Sequence, residues 1–353
     1  MNAVVEPSGV VYAVIDGDVR RDRDKVIGIW RGNLGSEERL DAKYDWFYLK
    51  CPWGEPRVLV LRHEPSAEWV GVAAIGPRRM LWRGREIRAG VLVDMAVTAR
   101  HRSLGPALKL QKGVIDCAAE EFDLVYGFPN AKAVAVVQRV GYRKLADIVR
   151  YSRVLRHAPY LRRLMPEVLA RPLGAVLDGL DRVAGALRSL RERDGAIEWS
   201  EHVDARMQAL WDRSSPGNGL ISVRDAVGLG WRFDQATFHR SRYLLVSARG
   251  GALTAWFACQ VDGSTLHVRD FWSADAPRGM PREAIDALIR AARQQGHSVV
   301  SMQHAGPPSA MAAWRAARFV ERDRRPVFGK WRASLDALVS AGPIHLTPAD
   351  EDE

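Results

Sequence analysis

The sequence predicts an α/β protein of the α+β kind, with two mixed sheets flanked by helices and joined by a helical connector. Three observations carry this expectation. At 353 residues the chain exceeds the usual single domain, so two units are expected. Apolar runs of strand length alternate with helix-length periodic segments in the order β-α-β-β-β-α-β-α-β up to about residue 155, and the back half of that order returns after residue 195. Between them, residues 157–193 carry no strand signal, only Leu, Val and Arg at helical spacing.

Residues 11–15 read as the first strand, and 24–34 as a helix on the spacing of Val26, Ile27 and Trp30. An aromatic segment, Tyr44, Trp46, Phe47, Tyr48 and Leu49, ends at the turn Cys51-Pro52-Trp53-Gly54. Strands follow at 57–61, 69–75 and 90–97, each rich in Val, Leu or Ile and bounded by polar or Gly-containing turns. Ala107, Leu110, Val114 and Ala118 place a helix over 106–121, with Pro106 suited to its first turn. A strand at 124–127, a helix over 131–140 and a strand pair within 142–154 complete the unit.

The connector is expected to break near Pro166 and Pro172. In the second unit the pattern gives a helix at 205–211, strands at 243–248, 253–261 and 265–272, and a helix at 281–295. A strand at 298–302, a helix at 309–318 and a closing strand after Arg325 follow. The boundaries are 1–156, 157–194 for the connector, 195–340 for the second unit, and 341–353 for an acidic tail expected to be disordered. An internal duplication explains the repeated order.

Composition narrows the partners. The +10 net charge admits anionic ligands such as nucleotide phosphates, but the Arg residues are scattered, and no zinc-finger or RNA-binding signature appears; nucleic acid is not an expected partner. Cys51, Cys117 and Cys259 show no metal-ligand spacing, so neither a disulfide framework nor a metal is expected. With no secretory leader pattern and no run of spanning length, a cytoplasmic location is expected. Seven Arg residues of the connector (162, 163, 171, 182, 188, 191 and 193) outnumber its acids. Its apolar face is expected to pack on its own protein in preference to a membrane surface. Oligomeric state is not legible.

The chemistry-bearing segment runs Val93-Asp94-Met95-Ala96-Val97-Thr98-Ala99-Arg100-His101-Arg102-Ser103-Leu104-Gly105-Pro106-Ala107, a strand, a turn and a helix start with the pattern R-x-x-G-x-A. A helix N-terminus presents unpaired N–H groups and partial positive charge, and Gly105 lets the backbone approach a phosphate. This segment resembles motif A of the GNAT acyltransferases. Asn130, Ala133, Val136, Val137, Gly141 and Tyr142 resemble their motif B, and the likeness covers about residues 10–155. The second unit looks like the same fold with a degenerate cofactor site: no R-x-x-G-x-G/A follows Val268-Arg269-Asp270-Phe271-Trp272.

The resemblance implies an N-acyltransferase that uses acetyl-CoA or another acyl-CoA as co-substrate. Met95, Ala96 and Val97 would pair with the pantetheine arm. Arg102, Ser103, Leu104, Gly105 and Ala107 would cradle the diphosphate, with Asn130 nearby and the Pro106 donor missing. The family's general-acid Tyr position holds Val137, which donates no proton. Asp94 is the candidate base, placed by alternation on the face of Leu92 and Ala96, and Tyr142 is a further catalytic candidate. Tyr44 and His101 come after them. Tyr44, Trp46, Tyr48 and Trp53 are candidates for an acceptor pocket wall, with core packing as the alternative. The acceptor is an amine, by analogy a small metabolite or an amino sugar. The rival readings are a catalytically silent binding module and a Fem-like transferase that uses aminoacyl-tRNA.

Overall fold

The computed structural model describes residues 11–162, 165–189, 196–336 and 342–351. The first half runs β1 (Tyr12–Gly17), α1 (Arg23–Trp30), α2 (Leu40–Tyr44), β2 (Arg57–His63), β3 (Glu68–Trp82), β4 (Arg85–Val97), α3 (Leu104–Glu121), β5 (Leu124–Gly127), α4 (Ala131–Arg139) and β6 (Arg143–Val154). The connector supplies α5 (Ala158–Leu161) and α6 (Glu167–Ser189). The second half begins with β7 (Ile197–Ser200), α7 (Ala205–Asp212), β8 (Leu220–Ser222), α8 (Ala226–Leu229), β9 (Ser241–Ser247), β10 (Leu253–Asp262) and β11 (Thr265–Ser273). It closes with α9 (Arg282–Gln294), β12 (Val299–His304), α10 (Ala312–Ala316), β13 (Val320–Trp331), α11 (Ala333–Asp336) and β14 (Ile344–His345).

The two sheets are continuous. Their shared order is β1-β2-β3-β4-β5-β13-β6-β12-β11-β10-β9-β7. Read inward from either end, antiparallel strands lead to one parallel pair, β4 with β5 on one side and β11 with β12 on the other. At the centre the halves exchange their closing strands: β13 pairs with β5, β6 pairs with β12, and β13 and β6 lie antiparallel to each other. A backbone ladder therefore joins the halves, in addition to the helical connector.

The same relation appears in the side chains. A π-helical turn follows α2 (Asp45–Leu49), and another follows α8 (Gly230–Asp234). Trp46 and Trp231 lie one on each and stack at 4.8 Å. Each indole N–H donates to the other's backbone carbonyl, Trp46 to Trp231 at 2.6 Å and Trp231 to Trp46 at 3.2 Å. Two buried polar N–H groups are thus satisfied across the junction, where unpaired they would each be costly.

In the first half α1 and α2 cover one face of the sheet through Val26, Ile27, Trp30 and Tyr44. The other face takes Leu110, Val114 and Ala118 of α3, the stripe the sequence predicts. β3 and β4 are longer than their apolar runs suggest. They join at Arg83 and Gly84, both at positive φ (52° and 72°), the backbone of a tight hairpin turn whose twist matches the strands.

The aromatic segment, to which the sequence assigned no element, is helical. Four expectations need correction. Residues 143–154 form one strand, since β13 and β12 pair along its two edges. Pro172 lies inside α6, where it removes only the bond to residue 168 near the helix start. The connector does not bury its apolar stripe: Leu169 is 60% exposed and Val176 57%, while Ala170 is buried. Gly174 explains the choice of face, as a Cβ there would lie 2.7 Å from the Ala158 backbone of α5.

The fourth correction concerns the acidic tail, which is ordered from 342 to 351 where the sequence suggested disorder. β14 pairs with β8, Leu346 pairs with Ala305, and Asp350 is buried with Arg224 at 3.2 Å. Asp350 is the counter-ion of the buried Arg224 and Glu351 pairs with Arg325, so these two acids are not a solvated charge run.

Candidate acyl-CoA cleft

β4 and β5 pair only from Ala89 to Val91 and from Leu124 to Tyr126. Beyond Val91 they diverge, and the opening holds a cleft of about 220 Å³. Leu92, Val93, Asp94 and Met95 form one wall, and Gly127, Phe128, Pro129 and Asn130 the other. Gln111, Val137, Lys43 and Phe328 are among the rest of its lining, the last from β13 of the second half. Gly127 matters to the opening because a Cβ there would sit 3.0 Å from the Leu92 Cβ.

Asp94 occupies a β-bulge. Ala74 faces Val93 and Val72 faces Ala96, so Asp94 and Met95 together oppose Ala73, and Asp94 takes φ 52°. Asp tolerates this left-handed backbone better than most residues. The extra residue changes the predicted faces: Leu92 and Met95 belong to the α3 side, Val93 and Ala96 to the α1–α2 side. Strict alternation had put Asp94 with Leu92. The structure turns it to the opposite side, where Oδ1 accepts from Lys43 Nζ at 2.6 Å and Oδ2 from the Tyr48 hydroxyl at 2.9 Å. Among the described residues lining the cleft, Asp94 is the one carboxylate.

The open end of β4 leads directly to α3. Ser103 precedes the helix in extended conformation, and its side chain makes no capping bond, which leaves the first-turn N–H groups of Leu104 and Gly105 without an intrahelical acceptor. Leu104 is 42% exposed, and a Cβ added at Gly105 would meet nothing within 4 Å. Pro106 is buried, and Ala107 follows it in the first turn. Arg102 lies alongside, its guanidinium donating to the Val97 carbonyl at 3.3 Å and to the Asn33 side chain.

The remaining candidates separate. Met95 lines the cleft, while Ala96 and Val97 are buried in the strand. Asn130 caps α4, accepting from the N–H groups of Lys132 and Ala133, and also lines the cleft. Tyr142 does not line it. Its buried hydroxyl lies behind Gln111, which donates to it at 3.4 Å, and burial pushes its pKa up, away from proton transfer at neutral pH. His101 is bonded to the Tyr12 hydroxyl at 3.0 Å, outside the cleft lining.

The proposed acceptor wall is core. Tyr44, Trp46 and Tyr48 are each at most 2% exposed. Tyr44 donates to the Val19 carbonyl at 2.7 Å and stacks on Tyr48, and Trp53 packs edge-on to Trp231. Sequence reasoning missed Lys43, Gln111 and Phe328. Gln111 left a trace as a polar residue on the apolar stripe of α3, whereas Phe328 lies two hundred residues away in sequence.

The corresponding opening in the second half is filled. β11 and β12 pair as far as Val268 and Met302. Beyond them Leu346 exchanges backbone bonds with Ala305 at 2.8 and 3.0 Å, and Thr347 donates to Asp270 at 2.8 Å. β12 ends in His304, where β5 ends in Gly127, and the His304 ring bonds to His345 at 3.0 Å. Arg224 holds both oxygens of Asp270 at 3.1 Å. A larger cavity of about 600 Å³ lies near the other end of α3, lined by Trp82, Phe122 and Trp331. The helix start in its lining, Ala333 of α11, opens a helix of only four residues.

No protein-family model matches the chain, and no curated protein matches it in sequence. Solved structures do. A GCN5-related N-acetyltransferase from Anabaena variabilis superposes with TM-score 0.62 at 10% identity over 93% of this chain and 74% of its own. The chain has the GNAT fold. A conserved protein of unknown function from Enterococcus faecalis V583 gives TM-score 0.65 at 9% identity, covering 92% and 73%. Saccharomyces cerevisiae N-myristoyltransferase with bound myristoyl-CoA gives 0.52 at 12%, covering 92% and 80%. Likeness at these identities concerns the fold, so the GNAT comparison adds architecture to the geometry above and leaves the chemistry to be argued from residues.

Proposed function

We infer that the chain is an acyl-CoA-dependent N-acyltransferase working in the cleft between β4 and β5. The observation that carries this reading is the splay of those strands beyond Val91, with the uncapped N-terminus of α3 at its open end. A diphosphate fits the first-turn N–H groups of Leu104 and Gly105, aided by the helix dipole. The pantetheine arm fits the strand edge left without a partner past Val91. A cleft of about 220 Å³ suits an acetyl or other short acyl group.

In this reading the acceptor amine attacks the thioester carbonyl, and a backbone N–H of the splayed strand stabilises the oxyanion. Asp94 takes a proton from the acceptor's ammonium, directly or through water, to free the amine that attacks, while Lys43 and Tyr48 hold the carboxylate in place. The leaving thiolate is protonated from solvent, as Val137 has no proton to give and the Tyr142 hydroxyl is outside the cleft lining. The chain is read as accepting small amines, including amino sugars. Release of free CoA thiol from acetyl-CoA in the presence of an amine panel tests this. Binding of CoA without turnover on any amine favours the second reading, a silent binding module, for which Val137 is the argument. Binding of charged tRNA with indifference to CoA would support a Fem-like transferase instead.

A further inference from the structure

Among the described residues, α6 carries an apolar stripe that faces outward. Among the described residues eleven large hydrophobics are exposed, and six of them lie on this helix: Val168, Leu169, Leu173, Val176, Leu177 and Val183. Scattered exposed apolar residues need no explanation, but a contiguous strip does. The strip has a regular period. Leu169, Leu173, Val176 and Val183 fall on a spacing of four and three residues that the sequence extends through Leu180 and Leu187. This is a 3.5-residue repeat over nearly three heptads, the pattern that keeps one seam facing a neighbouring helix.

The positions flanking the seam say which kind of neighbour. By sequence spacing they are Ala170, Pro172, Leu177, Gly179, Ala184 and Ala186, none of them charged and four of them Ala or Gly, which allows close approach of another helix. An interfacial membrane helix instead places Lys and Arg along its polar face. Here the helix carries Arg171, Arg182 and Arg188 against Glu167, Asp178 and Asp181, so it is neutral overall and gains nothing from an anionic surface. The opposite side is already occupied: Gly174 lets α5 pack closely, and Asp178 is bonded to His157.

We propose that two copies of this chain associate through α6, the seam of Leu169, Leu173, Val176 and Val183 packing against the same seam of the second copy. A self-complementary patch of this kind closes under two-fold symmetry, so association stops at a defined size. The pairing uses a surface remote in sequence from the cleft residues and is independent of the acyl-transfer reading.

Light scattering coupled to size exclusion on the full chain tests it. The wild type elutes with at least twice the mass of one chain at tens of micromolar, and Leu173→Glu/Val176→Glu elutes as one chain with an unchanged circular dichroism spectrum. Because a doubly charged helix could unwind, a second pair of variants reads proximity directly. Val176→Cys forms an intermolecular disulfide under mild oxidation, whereas Arg171→Cys, off the seam, does not. A wild type of single-chain mass, an assembly that survives the Glu substitutions, or equal cross-linking of both Cys variants overturns the proposal. So does a single-chain protein that co-sediments with phosphatidylserine vesicles through α6.

Discussion

Asp94→Asn probes the buried pair that the structure places at the cleft wall. Asn tolerates the left-handed backbone at φ 52° and nearly matches the Asp side chain in size, so the bulge survives. What is lost is the negative charge 2.6 Å from Lys43 Nζ, with the two side chains 3% and 9% exposed. Removing one member of a buried ion pair costs about 3 to 5 kcal/mol. Lys43→Met is expected to cost a similar amount by stripping the carboxylate of its cation.

The double variant Lys43→Met/Asp94→Asn removes both charges. Its loss should fall short of the two single losses added together by about 3 kcal/mol, the signature of direct coupling. Urea unfolding of the four proteins measures this, and simple additivity refutes the pairing. The same set separates stability from rate. If Asp94 takes the acceptor's proton, both variants carrying Asn lose about 10² to 10⁴ in kcat, with CoA affinity retained. A double variant with wild-type turnover reduces Asp94 to a structural tie.

Two further outcomes follow from the junction and the filled second opening. Trp46→Ala should cost about 3 to 5 kcal/mol in urea unfolding, and the loss in Trp46→Ala/Trp231→Ala should fall short of the two single losses added together, because each removes the shared stack along with its own indole N–H bond to the other's backbone carbonyl. Full additivity would contradict this. Burial, and secondarily Arg224, push His304 down to about 3, and His345 is likewise held well below the usual imidazole range. The unfolded chain therefore binds these protons more readily than the folded one. Their contribution is fully present above pH about 6.5 and fades toward pH about 3, by about 1.4 kcal/mol per pH unit for each group. Burial pushes the Asp270 carboxyl up, an opposing slope that cancels when wild type is compared with His304→Asn. The variant should show a flatter loss of stability between pH 6 and 4, and parallel profiles would contradict the assignment.

The parts of this fold legible in the sequence are those set by local periodicity. The α3 stripe of Leu110, Val114 and Ala118, the apolar strands and the turn carrying Gly105 all follow from short-range spacing. Three other features depend on distant partners. The bulge at Asp94 reversed its face, since one inserted residue shifts every side chain after it. The exchange of β6 and β13 reflects pairings up to two hundred residues apart, for which alternation carries no address. The tail looked like a solvated acidic run because Arg224, the partner of Asp350, lies more than a hundred residues upstream. The connector's stripe was visible, but its direction was set by Gly174 and Ala158, which composition does not weigh.

Titration calorimetry with CoA tests the central claim most directly, comparing the wild type with Gly105→Val. Since a Cβ at Gly105 meets nothing within 4 Å beyond its own helix turn, the substitution should leave the free energy of unfolding in urea within about 1 kcal/mol of wild type. Its side chain would nevertheless stand where the diphosphate approaches the helix. The account predicts one CoA per wild-type chain, because the second opening is filled by residues 345–347, and loss of that binding in Gly105→Val. Two CoA per chain, or equal affinity in the variant, would contradict it.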